Sequence, residues 1–98
     1  MKSPVIIRPE AESDLAEAYR WYEAQVPGLG SDFLLSVDAA LSSIRRNSEL
    51  YPVVYKNVRR SLIRRFPFGV YYIIEKERIV VLAVMHAKRD PGAWQDRA

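Results

Sequence analysis

Phe68-Gly69-Val70-Tyr71-Tyr72-Ile73-Ile74, the break Glu75-Lys76-Glu77-Arg78, and Ile79-Val80-Val81-Leu82-Ala83-Val84-Met85 form the stretch that decides the fold. Two runs rich in β-branched and aromatic residues flank a short charged turn, the pattern of a β-hairpin. A connection this short makes the two strands antiparallel. Strands of an antiparallel sheet usually alternate, because one face meets water. These two are nearly all apolar, so both faces must be covered. A helical layer can cover one. A partner chain, or curvature of the sheet itself, are the alternatives for the other.

Upstream, Val58 to Ile63 reads as a further strand, with Leu62 the strongest inward candidate. Val5-Ile6-Ile7 is a short β-branched run ahead of Pro9 and reads as a first strand. Pro9 suits the first turn of a helix, and Glu10, Glu12 and Asp14 favour its positive end. Ala11, Leu15, Ala18, Tyr19, Tyr22 and Val26 recur at helical spacing, and Pro27-Gly28 stops the run. Ser31 or Gly30 is expected to cap a second helix, whose buried face carries Phe33, Leu34, Val37, Leu41 and Ile44 up to Asn47-Ser48. Pro91 to Arg97 suits one last helical turn, with Trp94 folded back onto the sheet edge. The expected architecture is α+β: an N-terminal strand and a helical hairpin packed on a small antiparallel β-sheet, closed by a short C-terminal helical turn.

A chain of 98 residues makes one domain, taken as residues 1–98, with one modest core. Hydrophobic residues at 49% and charged residues at 28% fit a globular protein rather than a disordered one. Without cysteine there is no disulfide and no thiolate metal site. No apolar run is long enough to span a bilayer and the N-terminus lacks an apolar signal core, so a cytoplasmic location is expected. The net charge is +3, and its distribution matters more than its size. Lys56, Arg59, Arg60, Arg64 and Arg65 lie close together, Lys88, Arg89 and Arg97 follow later, and acidic residues gather between Glu10 and Glu23. Such asymmetry suits a polyanion or an acidic protein partner, or a solvated positive face.

Phosphate-cradling glycine loops, H-E-x-x-H and G-x-S-x-G are absent. A single histidine without cysteine disfavours zinc, and no cofactor is expected. What remains is chemistry on a phosphate. Metal-free RNA cleavage needs a base, an acid and cations around phosphorus. His86 can serve as acid or base, with Arg64, Arg65, Lys88 and Arg89 as the cations. Trp94, Tyr71 or Tyr72 can stack on a base. The alternatives are a structural histidine and a cationic strand edge that is solvated or binds a partner. Tyr71 and Tyr72 occupy adjacent strand positions and face opposite sides, so at least one belongs to the core.

In order along the chain, Ala11-x-x-Asp14-Leu15, Tyr19-x-x-Tyr22, Pro27, Phe33, Val58-Arg59-Arg60, Phe66-Pro67-Phe68-x-Val70-Tyr71-Tyr72 and His86-x-x-Arg89-Asp90-Pro91-x-x-Trp94-x-x-Arg97 resemble the landmarks of the RelE/ParE superfamily of type II toxin–antitoxin and plasmid-stabilisation toxins. The resemblance covers nearly the whole chain. It implies a growth-arresting toxin held by a cognate antitoxin in a hetero-oligomer. One branch of the superfamily cleaves ribosome-bound mRNA, and the ParE branch inhibits DNA gyrase. The nucleases commonly carry an arginine where this chain has Gly69, and a tyrosine near the position of Trp94. Glycine supplies no charge and indole exchanges no proton, so the resemblance leans to the ParE-like branch. It implies partner or target binding by Arg59, Arg60, Arg64, Arg65, Lys88, Arg89 and Trp94. In the nuclease alternative, His86 and Arg89 would be catalytic.

Overall fold

A computed structural model describes residues 3–98. The elements run β1 (Val5–Ile7), α1 (Pro9–Gln25), α2 (Leu29–Arg46), β2 (Val53–Tyr55), β3 (Val58–Leu62), β4 (Phe68–Glu75), β5 (Arg78–His86) and α3 (Gly92–Gln95). The α+β expectation holds, with two additions. The sheet has five strands in the order β1-β5-β4-β3-β2, and β1 lies parallel to β5 through Val5–Ile79, Ile6–Val80 and Ile7–Val81. The short strand β2, which the sequence pattern did not reveal, pairs antiparallel with β3.

Pro9 takes the first helical position of α1, Glu10 and Glu12 sit in its first turn, and Ala11 and Ala18 carry its buried stripe. Helix α2 starts earlier than Ser31 or Gly30 would place it. Gly28, at φ 90°, is its N-cap, and the Glu23 carboxylate of α1 accepts the N–H groups of Gly28 and Gly30, both at 2.9 Å. A side chain from the preceding helix thus satisfies donors that a local cap would otherwise take. Arg45 and Arg46 sit at the negative end of α2.

The helical hairpin covers one face of the sheet. Phe33, Val37 and Ile44 of α2 pack there with Phe66, Val70, Tyr72, Ile79, Val81 and Val84. Tyr22, Phe33, Phe66 and Phe68 form an aromatic cluster with centroids 4.8–5.9 Å apart. The opposite face, for which a partner chain or sheet curvature had been the alternatives, is covered by the chain itself. Trp94 stacks on Tyr71 at 4.5 Å and meets Tyr55 edge-on at 6.0 Å, above Val58, Leu82 and Met85. Both Tyr71 and Tyr72 are therefore core residues, one in each layer. A register shift opposite Tyr71 and Tyr72 lets Leu82 and Ala83 of β5 both join the second layer.

Leu62 is a correction. It is 58% exposed, while Ser61 and Ile63 on either side are buried. Paired with Gly69, Leu62 lies on the same face as Val58 and Tyr71, but the second layer that buries those two does not reach it, and the buried apolar residue at this end of the run is Ile63, which faces the helices.

A second tie closes the fold. Arg97 forks onto the Asp14 carboxylate at 2.7 and 3.2 Å and donates to the Leu82 carbonyl at 3.0 Å. Asp14 also accepts the Val84 N–H at 3.0 Å, and Arg8 donates to the Arg97 carbonyl at 3.2 Å. One carboxylate thereby joins α1, β5 and the segment after α3.

Candidate partner and target surfaces

The cations singled out in the sequence do not form one patch. Arg59 turns toward α2 and donates to the carbonyls of Glu49 at 3.0 Å and Tyr51 at 2.7 Å, fixing the loop that leads into β2. Beside it the Tyr72 hydroxyl donates to the Ser48 carbonyl at 2.6 Å. Burial pushes the Tyr72 phenol up to about 12, against a smaller opposing pull from Arg59. Arg60 lies across Gly69: a Cβ at position 69 would meet Arg60 Cγ at 3.1 Å and Cδ at 3.2 Å. The stem of Arg60 thus occupies the space that a nuclease-type arginine at 69 would need. Trp94 is 5% exposed and serves the second layer, not the surface. Tyr71 and Tyr72 are equally withdrawn, so none of the three is presented to a nucleobase.

The other residues are brought to one end of the sheet. Phe68 pairs with His86, and the Ala87 N–H donates to the Pro67 carbonyl at 2.8 Å. This sets the β3–β4 loop, with exposed Arg64 and Arg65, beside the β5–α3 loop, with exposed Lys88 and Arg89. Arg65 adopts φ 71° and pairs loosely with Asp32 at 3.6 Å, both groups being well exposed. His86 is half-buried against the edge of Phe68, centroids 5.6 Å apart. Its Nδ1 accepts the Lys88 N–H at 3.0 Å, which assigns the proton of the neutral ring to Nε2.

Two concavities border this end. The smaller, about 160 Å³, opens between α1 and the end of β5 and is lined by Glu17, Trp21, Tyr22, Phe68, His86 and Arg89. Trp21 is 58% exposed, an unusual setting for an indole. The signal for it lay in the sequence, since Trp21 falls outside the stripe of Ala11, Leu15, Ala18 and Tyr22. The larger, about 830 Å³, lies between α2 and β3 and includes Arg64 and Arg65. Chemically, the end of the sheet can bind anions and pack apolar groups. Among the described residues no group of three or more His, Asp or Glu side chains is placed to hold a metal ion, and no helix is long and apolar enough to cross a membrane.

Comparison with known proteins agrees with this geometry. Residues 5–91 match the family described as ParE toxin of type II toxin-antitoxin system, parDE. The chain is 31% identical over 83 residues to Toxin ParE2 of Mycobacterium tuberculosis, in strains CDC 1551 and H37Rv, covering 84% of this chain and 79% of that protein. Among solved structures it resembles a chain of the chromosomal ParDE system from P. aeruginosa, with a TM-score of 0.78 at 16% identity, covering 87% of this chain and 96% of that one. It also resembles a chain of the toxin–antitoxin complex RelBE2 from Mycobacterium tuberculosis, with a TM-score of 0.60 at 18% identity, covering 88% and 99%. The match along the sequence, and not the shared fold alone, places this chain in the ParE toxin family of type II toxin–antitoxin systems.

Proposed function

We propose that this toxin arrests growth by binding an essential macromolecule, DNA gyrase being the candidate, that it performs no covalent chemistry of its own, and that a cognate antitoxin neutralises it in a hetero-oligomer. The setting is the cytoplasm, where that target resides. The observation that carries the reading is the state of His86. A base for an RNA 2′-hydroxyl needs a free lone pair within reach of it. The Nδ1 lone pair of His86 is engaged by the Lys88 N–H, and Nε2 carries the proton. Arg59 is tied to two carbonyls, and Gly69 leaves no cation on β4. What remains, Arg64, Arg65, Lys88 and Arg89 with the Trp21 cleft, suits recognition better than proton transfer. The competing reading, a ribosome-dependent endoribonuclease using His86 and Arg89, makes opposite predictions.

The test is inducible expression of the toxin alone, with transcript integrity and gyrase supercoiling assayed in parallel. Intact transcripts with blocked supercoiling are expected. Cleaved transcripts with normal supercoiling would overturn the proposal. In the binding reading His86→Ala leaves most toxicity in place, and toxicity falls stepwise as Arg64, Arg65, Lys88 and Arg89 are neutralised. In the nuclease reading His86→Ala alone abolishes it.

A further inference from the structure

The small cleft between α1 and the end of β5 is more finely shaped than the capture of an anion requires. Asp14, Glu17, Ala18 and Trp21 fall at i, i+3, i+4 and i+7, so they form one stripe along α1. Opposite them stand Phe68, Met85 and His86 of the final hairpin. The volume, about 160 Å³, is close to the ~150 Å³ that takes up one benzene ring. Three aromatic rings, Trp21, Tyr22 and Phe68, line it. Trp21 stands edge-on to Tyr22 at 5.1 Å, and Tyr22 is itself held in the core cluster by Phe33 and Phe66. The exposed indole is therefore fixed in place before anything binds it, which lowers the entropic cost of using it. The charges of the lining divide in two. Asp14 is already engaged by Arg97 and the Val84 N–H. Glu17 and Arg89 are exposed and, among the described residues, form no ion pair.

We propose that this cleft is the pocket by which the toxin selects its target: it takes one tyrosine or tryptophan side chain of the target protein, with Trp21 as the anchor. The incoming ring packs among Trp21, Tyr22 and Phe68. Its O–H or N–H is accepted by Glu17, and a neighbouring carboxylate of the target meets Arg89. The proposal rests on the reading that the toxin acts by binding a macromolecule, and it adds which groups select that macromolecule and what they select. The volume admits a single ring. The aromatic lining favours a ring over an aliphatic chain, because edge-on and offset ring contacts add to the burial of area. Glu17 separates protein from nucleic acid. A base stacked on Trp21 would carry its phosphate past that carboxylate, and α1 also exposes Glu10 and Glu12. Arg89 belongs both to the cleft and to the cationic end of the sheet, so anchor and cations work on one continuous surface. Tryptophan and arginine are the residue types that dominate the energy of protein interfaces.

The test uses the full chain and purified DNA gyrase. Half-inhibition of supercoiling, and growth arrest on expression of the toxin alone, are read for the wild type, Trp21→Ala, Trp21→Phe and Arg89→Glu. Leu50→Ala controls for loss of an exposed apolar side chain outside the cleft. A thermal melt establishes that each variant folds. Arg89 lies on an exposed loop, so its substitution keeps the test decisive should Trp21→Ala loosen α1. Trp21→Ala and Arg89→Glu are each expected to raise the half-inhibiting concentration by about tenfold or more and to blunt arrest, Trp21→Phe by less and Leu50→Ala not at all. Co-purification with the protein encoded beside the toxin in its native genome is expected to stay unchanged in every variant. Wild-type inhibition and arrest by folded Trp21→Ala would overturn the proposal. Loss of co-purification in the cleft variants would assign the cleft to the antitoxin and overturn it as well. So would binding of a fluorescent single-stranded oligonucleotide that Trp21→Ala abolishes, since the occupant would then be a nucleobase. If the wild type arrests growth and leaves supercoiling intact, gyrase is not the target, and the growth readout still decides on Trp21.

Discussion

Replacing Arg97 by alanine tests the tie that closes the fold. Arg97 and Asp14 are 22% and 13% exposed, and the guanidinium makes two bonds to the carboxylate and one to the Leu82 carbonyl. The substitution leaves Asp14 with only the Val84 N–H, in a site where water barely reaches it. Removing one partner of a buried, hydrogen-bonded ion pair costs about 3–5 kcal/mol, most of it the penalty on the charge left behind. The residual exposure places this site at the lower end, about 3 kcal/mol. That is a large share of the 5–15 kcal/mol typical of a whole domain. At roughly 4–8 °C per kcal/mol for a chain of this size, Tm falls by about 12–24 °C. Urea titration with an unchanged m-value reads the loss directly. Asp14→Ala should cost a similar amount, and the double variant should fall well short of the sum, because the two residues act as one unit. A loss under about 1 kcal/mol for Arg97→Ala, the level of an exposed pair, would refute the reasoning. So would additive single variants.

Alkaline stability should depend on Tyr72. Its phenol holds its proton to about 12 in the folded state, whereas the unfolded chain releases it near the model value of 10.0. Between those values the unfolded state binds fewer protons, so stability falls as pH rises, by about 1.4 kcal/mol per pH unit. Below this window the group adds no slope. Tyr72→Phe should flatten the fall in pH-dependent denaturation while costing about 1 kcal/mol at neutral pH for the lost bond to Ser48. At the β4–β5 turn, Lys76 and Glu77 hold φ of 50° and 62°, the signature of a type I′ turn without its preferred residues. Lys76→Asn with Glu77→Gly should therefore raise stability by about 1–2 kcal/mol in a thermal melt. Gly30→Ala pits two effects against each other. Alanine favours a helix by about 1 kcal/mol, yet its Cβ would lie 2.8 Å from both the Tyr19 ring and the Tyr19 carbonyl. Overpacking against backbone costs about 1–3 kcal/mol, so a net loss is expected in the same melt.

The hairpin β4–β5 and both helices were legible because their apolar residues repeat over many positions, and a long pattern averages out local ambiguity. Three features were not. Val53-Val54-Tyr55 is too short, between Pro52 and the left-handed Lys56, to announce a strand. The phase of β3 could not be read, since its apolar ends face opposite layers. The Asp14–Arg97 pair joins residues 83 positions apart, a distance over which no periodicity carries information. For the surfaces, the cations Arg64, Arg65, Lys88 and Arg89 were legible as a group. Trp94 was legible as a residue folded back onto the sheet, whereas nothing in the sequence marked Arg59 as the tie to the Glu49 and Tyr51 carbonyls, because that contact is decided by how the loop ahead of β2 lies on β3. Trp21 and Leu35 were visible as apolar residues off the helical stripe, and only the fold tells which concavity each one borders.

The parallel pairing of Val5–Ile7 with Ile79–Val81 has a bearing on biogenesis. A nascent chain that has issued its first strand and both helices has nothing for that strand to lie against until the final hairpin emerges. Non-local pairing of this kind delays folding, and the waiting polypeptide carries bare apolar surface. The sheet, and with it the surface at its end, is therefore completed only when the last third of the chain has left the ribosome.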